Sequence, residues 1–365
     1  PGTALHLASS WNSLTFLSST IPLLPISSAI KPNQRTMARN RKCYHPNSLV
    51  EICFRAEAGL PLVATPYMRV VIKSILARAQ TMYPLTIVGY VVMGNHVHLL
   101  GVVRDPVDVA PFKEYLKREL SHAINHFLGR VNRTVWIDGC DDPVILDAEK
   151  ALERIVYIYS NPQKAHLVER IEHYPNLSSW EAFLEGGSVE TTKRISRPSI
   201  SKLPRRRLTP REQQRVADKL LDAAHEEFEL VIEPDAWIEC FPELAGADPE
   251  QLREDIIERV RLKEEKYIKT RKVPVIGAHA LRREVMWKSH TPKKRGKRML
   301  CMASLRSARM NYVAWRKDVD KEAREVYRRW RGGDPDAKMP PGMFWPGGWL
   351  QNPIDIPAYE FCANF

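Results

Sequence analysis

The sequence predicts an α+β fold: an antiparallel sheet covered by helices, followed by a mostly helical C-terminal domain. Three observations predict it. Apolar residues alternate with period two in short runs between residues 48 and 103. Runs with helical spacing lie between and after them. Beyond residue 208 the pattern is almost wholly helical. The order strand, helix, hairpin, helix, strand, helix suits a sheet with helices packed on it.

Each element has its own signature. Ser48 to Arg55 alternates as a first strand, and Gly59-Leu60-Pro61 is a turn. Tyr67 to Met82 places Met68, Val71, Ile75, Ala79 and Met82 on one helical face. Leu85 to Met93 is β-branched and aromatic, Gly94-Asn95 suits a two-residue turn, and the chain returns through Val103, so this stretch reads as a hairpin. Pro111 to Leu128 is a helix burying Phe112, Leu116, Leu120, Ile124 and Phe127, with Lys113, Lys117, Ser121, His122 and Asn125 opposite. A short strand is expected over Thr134 to Ile137, and a helix from near Leu146 through Asn161. Ser196 to Arg207 is a linker by composition. Thr209-Pro210-Arg211-Glu212 is a capping box opening a helix to about Leu230. Pro249 to Ile268, Val273 to Trp287 and Leu300 to Arg331 are the remaining expected helices, and an irregular tail follows Gly332.

Charge is concentrated rather than spread. The net charge is +12, and Arg282 to Arg331 holds 17 Lys+Arg against 5 Asp+Glu, leaving 38 of each elsewhere. Trp287, Tyr312, Trp315, Tyr327 and Trp330 are interleaved with that excess. Such a field favours a polyanion, because every neutralised phosphate releases counterions. A solvated helical face is the commoner meaning of any single charge run. The six cysteines form no C-x-x-C pair, which argues against a zinc knuckle or a disulfide framework and for a reduced, cytoplasmic chain. No apolar run reaches the length of a membrane span. Residues 1–36 carry only Lys31 and Arg35 as charges and no basic segment ahead of the apolar part; they read as a disordered upstream extension, with Met37 as a natural start.

The chemistry centres on Met93-Gly-Asn-His-Val-His-Leu-Leu-Gly101. In a strand His96 and His98 share a face while Val97 and Leu99 enter the core, so two imidazoles can share one metal ion. H-x-H alone also begins metal sites in amidohydrolase barrels and cupins, and equally describes a wet polar strand face. Farther on, Arg154-Ile-Val-Tyr157-Ile-Tyr159-Ser-Asn161-Pro162 places Tyr157 and Asn161 four residues apart on one helical face. Imidazole nitrogen and amide oxygen together suit a hard divalent ion such as Mg²⁺ or Mn²⁺, with positions left open for phosphate oxygens and water. Alternatively, Tyr157 is a core aromatic and Asn161 a helix cap followed by proline.

These residues resemble the HUH single-tyrosine transposases, most closely the REP-associated tyrosine transposases. The resemblance rests on Gly94-Asn-His-Val-His-Leu-Leu100 as the HUH motif, on Tyr157-Ile-Tyr-Ser-Asn-Pro162 as the tyrosine-helix motif, and on Tyr174-Pro-Asn-Leu-Ser-Ser-Trp180, over roughly residues 40–185. The chain departs from the pattern at Gln163-Lys-Ala-His166 and in its long extension after residue 190.

The resemblance implies a ferredoxin-like or RRM-like palm. It also implies a metal-dependent transposase or endonuclease that cleaves and rejoins single-stranded or hairpin DNA through a 5′-phosphotyrosine. Tyr157 would be the nucleophile, with Tyr159 a competitor, and His96, His98 and Asn161 the ligands of Mg²⁺ or Mn²⁺. Lys117, Lys164, Lys293, Lys294, Arg295, Lys297 and Arg298 are the expected DNA contacts, and no organic cofactor is expected. With composition and charge deciding the part beyond the resemblance, the expected organisation is a transposase domain over 37–190, a linker over 191–208, a helical basic DNA-binding domain over 209–331 and the tail over 332–365. A cytoplasmic, nucleoid-associated protein that allows a homodimer would follow. The competing functions are a non-catalytic hairpin-binding protein and a relaxase or replication-initiator nickase of the same chemistry.

Overall fold

The computed structural model describes residues 43–195, 202–291 and 299–343. The expected extension over 1–36, Lys293, Lys294, Arg295, Lys297 and Arg298, and most of the tail lie outside them.

In chain order the elements are β1 (Ser48–Arg55), α1 (Pro66–Met82), β2 (Leu85–Met93), β3 (His96–Val103), α2 (Pro106–Phe127), β4 (Val144–Ile145), α3 (Ala148–Tyr159) and α4 (Asn161–Lys164). They continue with α5 (Trp180–Glu185), β5 (Ser188–Lys193), α6 (Pro210–Asp222), β6 (Glu227–Ile232), α7 (Pro249–Thr270), α8 (Ala278–Arg282), β7 (Cys301–Met302) and α9 (Arg306–Arg331). The strands make one sheet in the order β5-β6-β2-β3-β1-β4-β7.

The fold is α+β, but the sheet is mixed. The expected antiparallel pairing holds for β1–β3, β2–β3, β1–β4 and β5–β6, whereas β2–β6 and β4–β7 run parallel. Both parallel partners come from beyond residue 208. There the helix expected to reach Leu230 stops at Asp222, and Phe-Glu-Leu-Val-Ile232 is extended, burying Leu230 and Ile232. β-Branched residues that fit a pleated surface override the helical reading once a sheet edge is available.

The described residues belong to one compact unit. The stretch expected as linker begins inside β5, and the stretch expected as a separate helical domain supplies β6, β7 and α7 to the same body. Other boundaries also move. α2 starts at Pro106, capped by the Asp105 side chain, and carries Pro111 inside it. Thr134 to Ile137 contributes only an isolated Ala56–Trp136 bridge. Val273 to Trp287 is helical only over α8.

Two apolar layers enclose the sheet. Val50, Ile52 and Phe54 of β1 with Val97, Leu99 and Val103 of β3 pack beneath α1, α2 and α6. Leu49, Leu100 and Val102 face α3, Trp180, Phe183, Trp237 and α7 on the other side. β2 changes parity midway: Ile87 pairs with Gly101 but Gly89 with Leu100, so one residue is extra. This bulge turns Val91 and Met93 towards α3. A run of nine buried residues hides it from sequence reading.

Gly89 at the bulge allows a close approach. A Cβ there would stand 2.6 Å from Tyr159 Oη, which itself bonds Ser179 Oγ at 2.9 Å. Gly89→Ala is therefore expected to destabilise the fold by about 1–3 kcal/mol in urea denaturation. Tyr159→Phe in the same chain should recover part of that loss by removing the clashing oxygen.

The Tyr174–Trp180 motif runs antiparallel along β2, with a Val91–Ser178 bridge, and also ties down Leu62. Tyr174 Oη donates to Val92 O at 2.8 Å, Ser179 Oγ accepts from Tyr90 N at 2.7 Å, and Asn176 Nδ2 donates to Leu62 O at 2.9 Å. No helix among the described residues is long and apolar enough to cross a membrane.

Candidate functional site

Strand parity places His96 and His98 on the α3 face, because Val97 and Leu99 between and beyond them enter the opposite layer. The two rings meet edge-on, with centroids 4.9 Å apart. His96 Nδ1 pairs with Asn95 Oδ1 at 2.7 Å and His98 Nδ1 with Glu51 Oε1 at 2.8 Å. Each imidazole thus has its Nδ1 engaged, while His96 Nε2 faces Asn161 Nδ2 and His98 also bonds the Cys53 side chain.

α3 brings the phenol to the same face. Asp147 caps the helix by accepting from Lys150 N, and Ile155, Val156, Ile158 and Tyr159 are buried, which leaves Tyr157 half-buried at the edge. Its ring is 5.6 Å from that of His98, at 86°. The helix breaks at Ser160, since Pro162 has no N–H to continue it. Ser160, not Asn161, is the N-cap of α4, and the Asn161 side chain is turned to His96, with its amide 3.5 Å from Nε2. α7 holds this corner: Glu264, buried under it, accepts from Gln163 Nε2 at 2.6 Å and from Ile171 N at 2.8 Å.

Glu51 ties the groups together. Besides His98 it accepts from Arg154 Nε at 2.8 Å and Arg154 Nη2 at 2.6 Å. The Arg154 guanidinium lies 4.0 Å from the Tyr157 ring centre, and Lys164 Nζ lies 4.9 Å from it. Burial alone would raise the Glu51 carboxyl, but His98 and Arg154 outweigh it and hold it at about 2. Burial would likewise depress His98, yet the Cys53 sulfur across the strand pair and Glu51 push it up to about 10. Burial, the His98 charge, Arg55 and His290 drive His96 well below the usual histidine range. Burial also raises the Tyr157 phenol, against the pull of Arg154.

A cleft of about 720 Å³ opens beside them, lined by Arg55, Asn95, His96, Tyr157, Asn161 and Lys164 with Lys288 and His290, while Glu51, His98 and Arg154 are not on its wall. A larger depression of about 980 Å³, around Arg104, Asp235 and Glu239, lies away from the imidazoles and the phenol. Size does not mark the chemical site here.

Among the described residues no three His, Cys, Asp or Glu side chains gather to hold a metal. The donor set nonetheless fits a hard divalent ion. Asn161 Nδ2 stands 3.5 Å from His96 Nε2, so a half-turn of the amide would bring its oxygen, the atom that ligates a hard cation, beside that imidazole. An ion held by an amide and two imidazoles would keep positions open for phosphate oxygens and water.

The titration states carry a signed prediction. In the metal-free protein His98 is protonated at neutral pH and His96 is not, while a ligand imidazole must be neutral. Mn²⁺ binding should release one proton, and affinity should rise about tenfold per pH unit between pH 6.5 and 8.5. Calorimetric titration in buffers of different ionisation enthalpy measures this; a slope of two would place a proton on His96 as well. Without metal, the raised His98 contributes stability that is fully present below pH 6.5 and is lost as pH rises through about 10.

The structure thus gathers His96, His98, Tyr157, Asn161 and Lys164 and leaves two expected participants elsewhere. Lys117 sits on α2, under the opposite face of the sheet, and donates to Gly139 O at 3.0 Å. Tyr159, fully buried between Trp180 and Phe183 with its hydroxyl on Ser179, has no access to the cleft. Sequence reasoning missed Glu51, Arg154, Arg55, Lys288 and His290. Glu51 had a signal: a lone acid among apolar residues of β1, in step with Cys53 and Arg55 rather than with Val50, Ile52 and Phe54.

No family model matches this chain, and no curated protein matches it. Among solved structures it is similar to that of a REP-associated tyrosine transposase bound to a REP hairpin. The similarity covers 41% of this chain and 86% of that one, at 17% identity and a TM-score of 0.36.

Proposed function

We propose that the protein is a metal-dependent enzyme that nicks and rejoins single-stranded or hairpin DNA, with Tyr157 as nucleophile. One observation carries this reading: the His96 imidazole, the Asn161 amide and the Tyr157 phenol, from β3, α4 and α3, line one cleft, with the buried His98 ring edge-on to both His96 and Tyr157. A divalent ion on His96, His98 and Asn161 would supply Lewis-acid polarisation of the scissile phosphate.

The chain's own residues do the rest. Tyr157 Oη bonds to phosphorus, the bond to the 3′-oxygen breaks, and the phenolic proton is lost as a free 3′-OH forms. The phosphotyrosine keeps the bond energy, so a second 3′-OH can reverse the step and join another end without ATP. Arg154 and Lys164, against the ring, offset the negative charge that gathers at the phenol oxygen. Arg55 and Lys288 at the cleft wall suit a phosphate backbone.

One observation favours a second reading, a hairpin-binding protein without strand transfer: the Tyr157 phenol is raised rather than lowered. The deciding experiment incubates the protein with hairpin-bearing single-stranded DNA and Mn²⁺ and seeks a phosphodeoxynucleotide on the Tyr157 peptide by mass spectrometry. Binding with no adduct in Mn²⁺ or Mg²⁺ selects the binder.

A further inference from the structure

We propose that Glu51 is the positioning residue of this site, one buried carboxylate that sets His98 with one side and Arg154 with the other, holding the ligand half and the phenol half in register. The inference rests on the nicking-and-joining reading and adds to it how the two halves are aligned.

Glu51 is only 2% exposed and lies on β1, whereas His98 is on β3 and Arg154 on α3. Its Oε1 accepts from both His98 Nδ1 and Arg154 Nη2, and its Oε2 accepts from Arg154 Nε. Two parallel bonds to a planar guanidinium leave that group no rotation. Arg154 therefore presents a fixed plane 4.0 Å from the Tyr157 ring centre. On the other side, the bond to Nδ1 fixes the His98 ring and, once the imidazole is neutral, keeps its proton on Nδ1.

An apolar residue at position 51 would pack on the same layer as Leu49 and Leu100. Buried ion pairs are often replaceable in that way without loss of stability. What an apolar residue cannot do is choose a tautomer and hold a guanidinium at once. Glu51 does not line the cleft, so it acts through its two partners.

The test uses the full chain with Glu51→Gln, Glu51→Asp and Arg154→Lys, reading Mn²⁺ affinity, the rate of adduct formation at saturating Mn²⁺, and KM for a hairpin-bearing single strand. Glu51→Gln should weaken Mn²⁺ binding by about 10–100-fold. It should also lower kcat at saturating metal while leaving KM unchanged. Glu51→Asp, which keeps the charge, should recover part of both. Arg154→Lys should keep wild-type Mn²⁺ affinity and lose kcat alone, since lysine lacks the fork.

A merely structural role predicts a lower melting temperature with affinity and kcat per folded molecule unchanged, and that result overturns the inference. If Glu51→Gln does not fold, nitrogen-15 histidine spectra of the Mg²⁺-loaded wild type decide: a proton on His98 Nδ1 is expected, and a proton on Nε2 overturns it. A wild type that neither binds Mn²⁺ nor forms an adduct removes the nicking reading and this inference together. A wild type that does both, matched by Glu51→Gln, removes only this inference.

Discussion

Tyr157→Phe is expected to abolish the covalent protein–DNA adduct and to lower strand cleavage by at least ~10³-fold, about 4 kcal/mol of barrier. Binding of the single strand should stay within about twofold. The substitution removes one oxygen that makes no protein hydrogen bond among those described, and the ring keeps its places against Arg154, Lys164 and His98. Gel-resolved cleavage of an end-labelled hairpin strand, with binding measured by anisotropy, separates the two effects. Cleavage that persisted without an adduct would make water the nucleophile. Tyr159 cannot substitute, because its hydroxyl is committed to Ser179 inside a packed aromatic cluster.

Asp142→Ala is expected to destabilise the fold by about 3–5 kcal/mol, enough to unfold a marginal protein. Asp142, Lys113 and Tyr44 form a triangle under α2: Lys113 donates to Tyr44 Oη and to Asp142, and Tyr44 Oη donates to the same carboxylate. All three side chains are buried, and the ammonium lies 4.8 Å from the Tyr44 ring centre. Removing the carboxylate takes a buried, charged partner from both the ammonium and the Tyr44 hydroxyl, which is why the loss exceeds the worth of an ordinary hydrogen bond. Urea denaturation of Asp142→Ala, Lys113→Met and the double variant forms the measurement. The double variant should be less destabilised than the sum of the singles, because both singles break the same Lys113–Asp142 contact. Strict additivity would mean the triangle is not coupled.

The hairpin of β2 and β3, the shared face of His96 and His98, and the proximity of Tyr157 to Asn161 were legible because each depends on a local period, two for a strand and about 3.6 for a helix. Asn161 was ambiguous between cap and ligand, since its neighbour Pro162 suits both. Its freedom from capping emerged only when Ser160 proved to be the cap. The capping box at Thr209 was equally legible and forms as read. β6 was not, because Glu227–Ile232 carries a helical as well as an extended pattern, and the choice depended on the edge offered by β5 and β2.

Glu51 was readable as a misplaced acid but not as the partner of His98 and Arg154, residues 47 and 103 positions away. Lys117 looked like a phosphate contact because its helix face is polar, and nothing local tells which side of the sheet that helix covers. By itself, the sequence determined the chemical parts: two imidazoles in step on one strand, a phenol and an amide one helical turn apart, and a basic segment downstream. Tertiary structure alone decided their assembly, through the bulge that resets β2, the parallel strands that draw the C-terminal residues onto the sheet, and the buried carboxylate between His98 and Arg154. Those outcomes depend on contacts between distant residues, and the free energy of such contacts exists only after the chain has closed on itself.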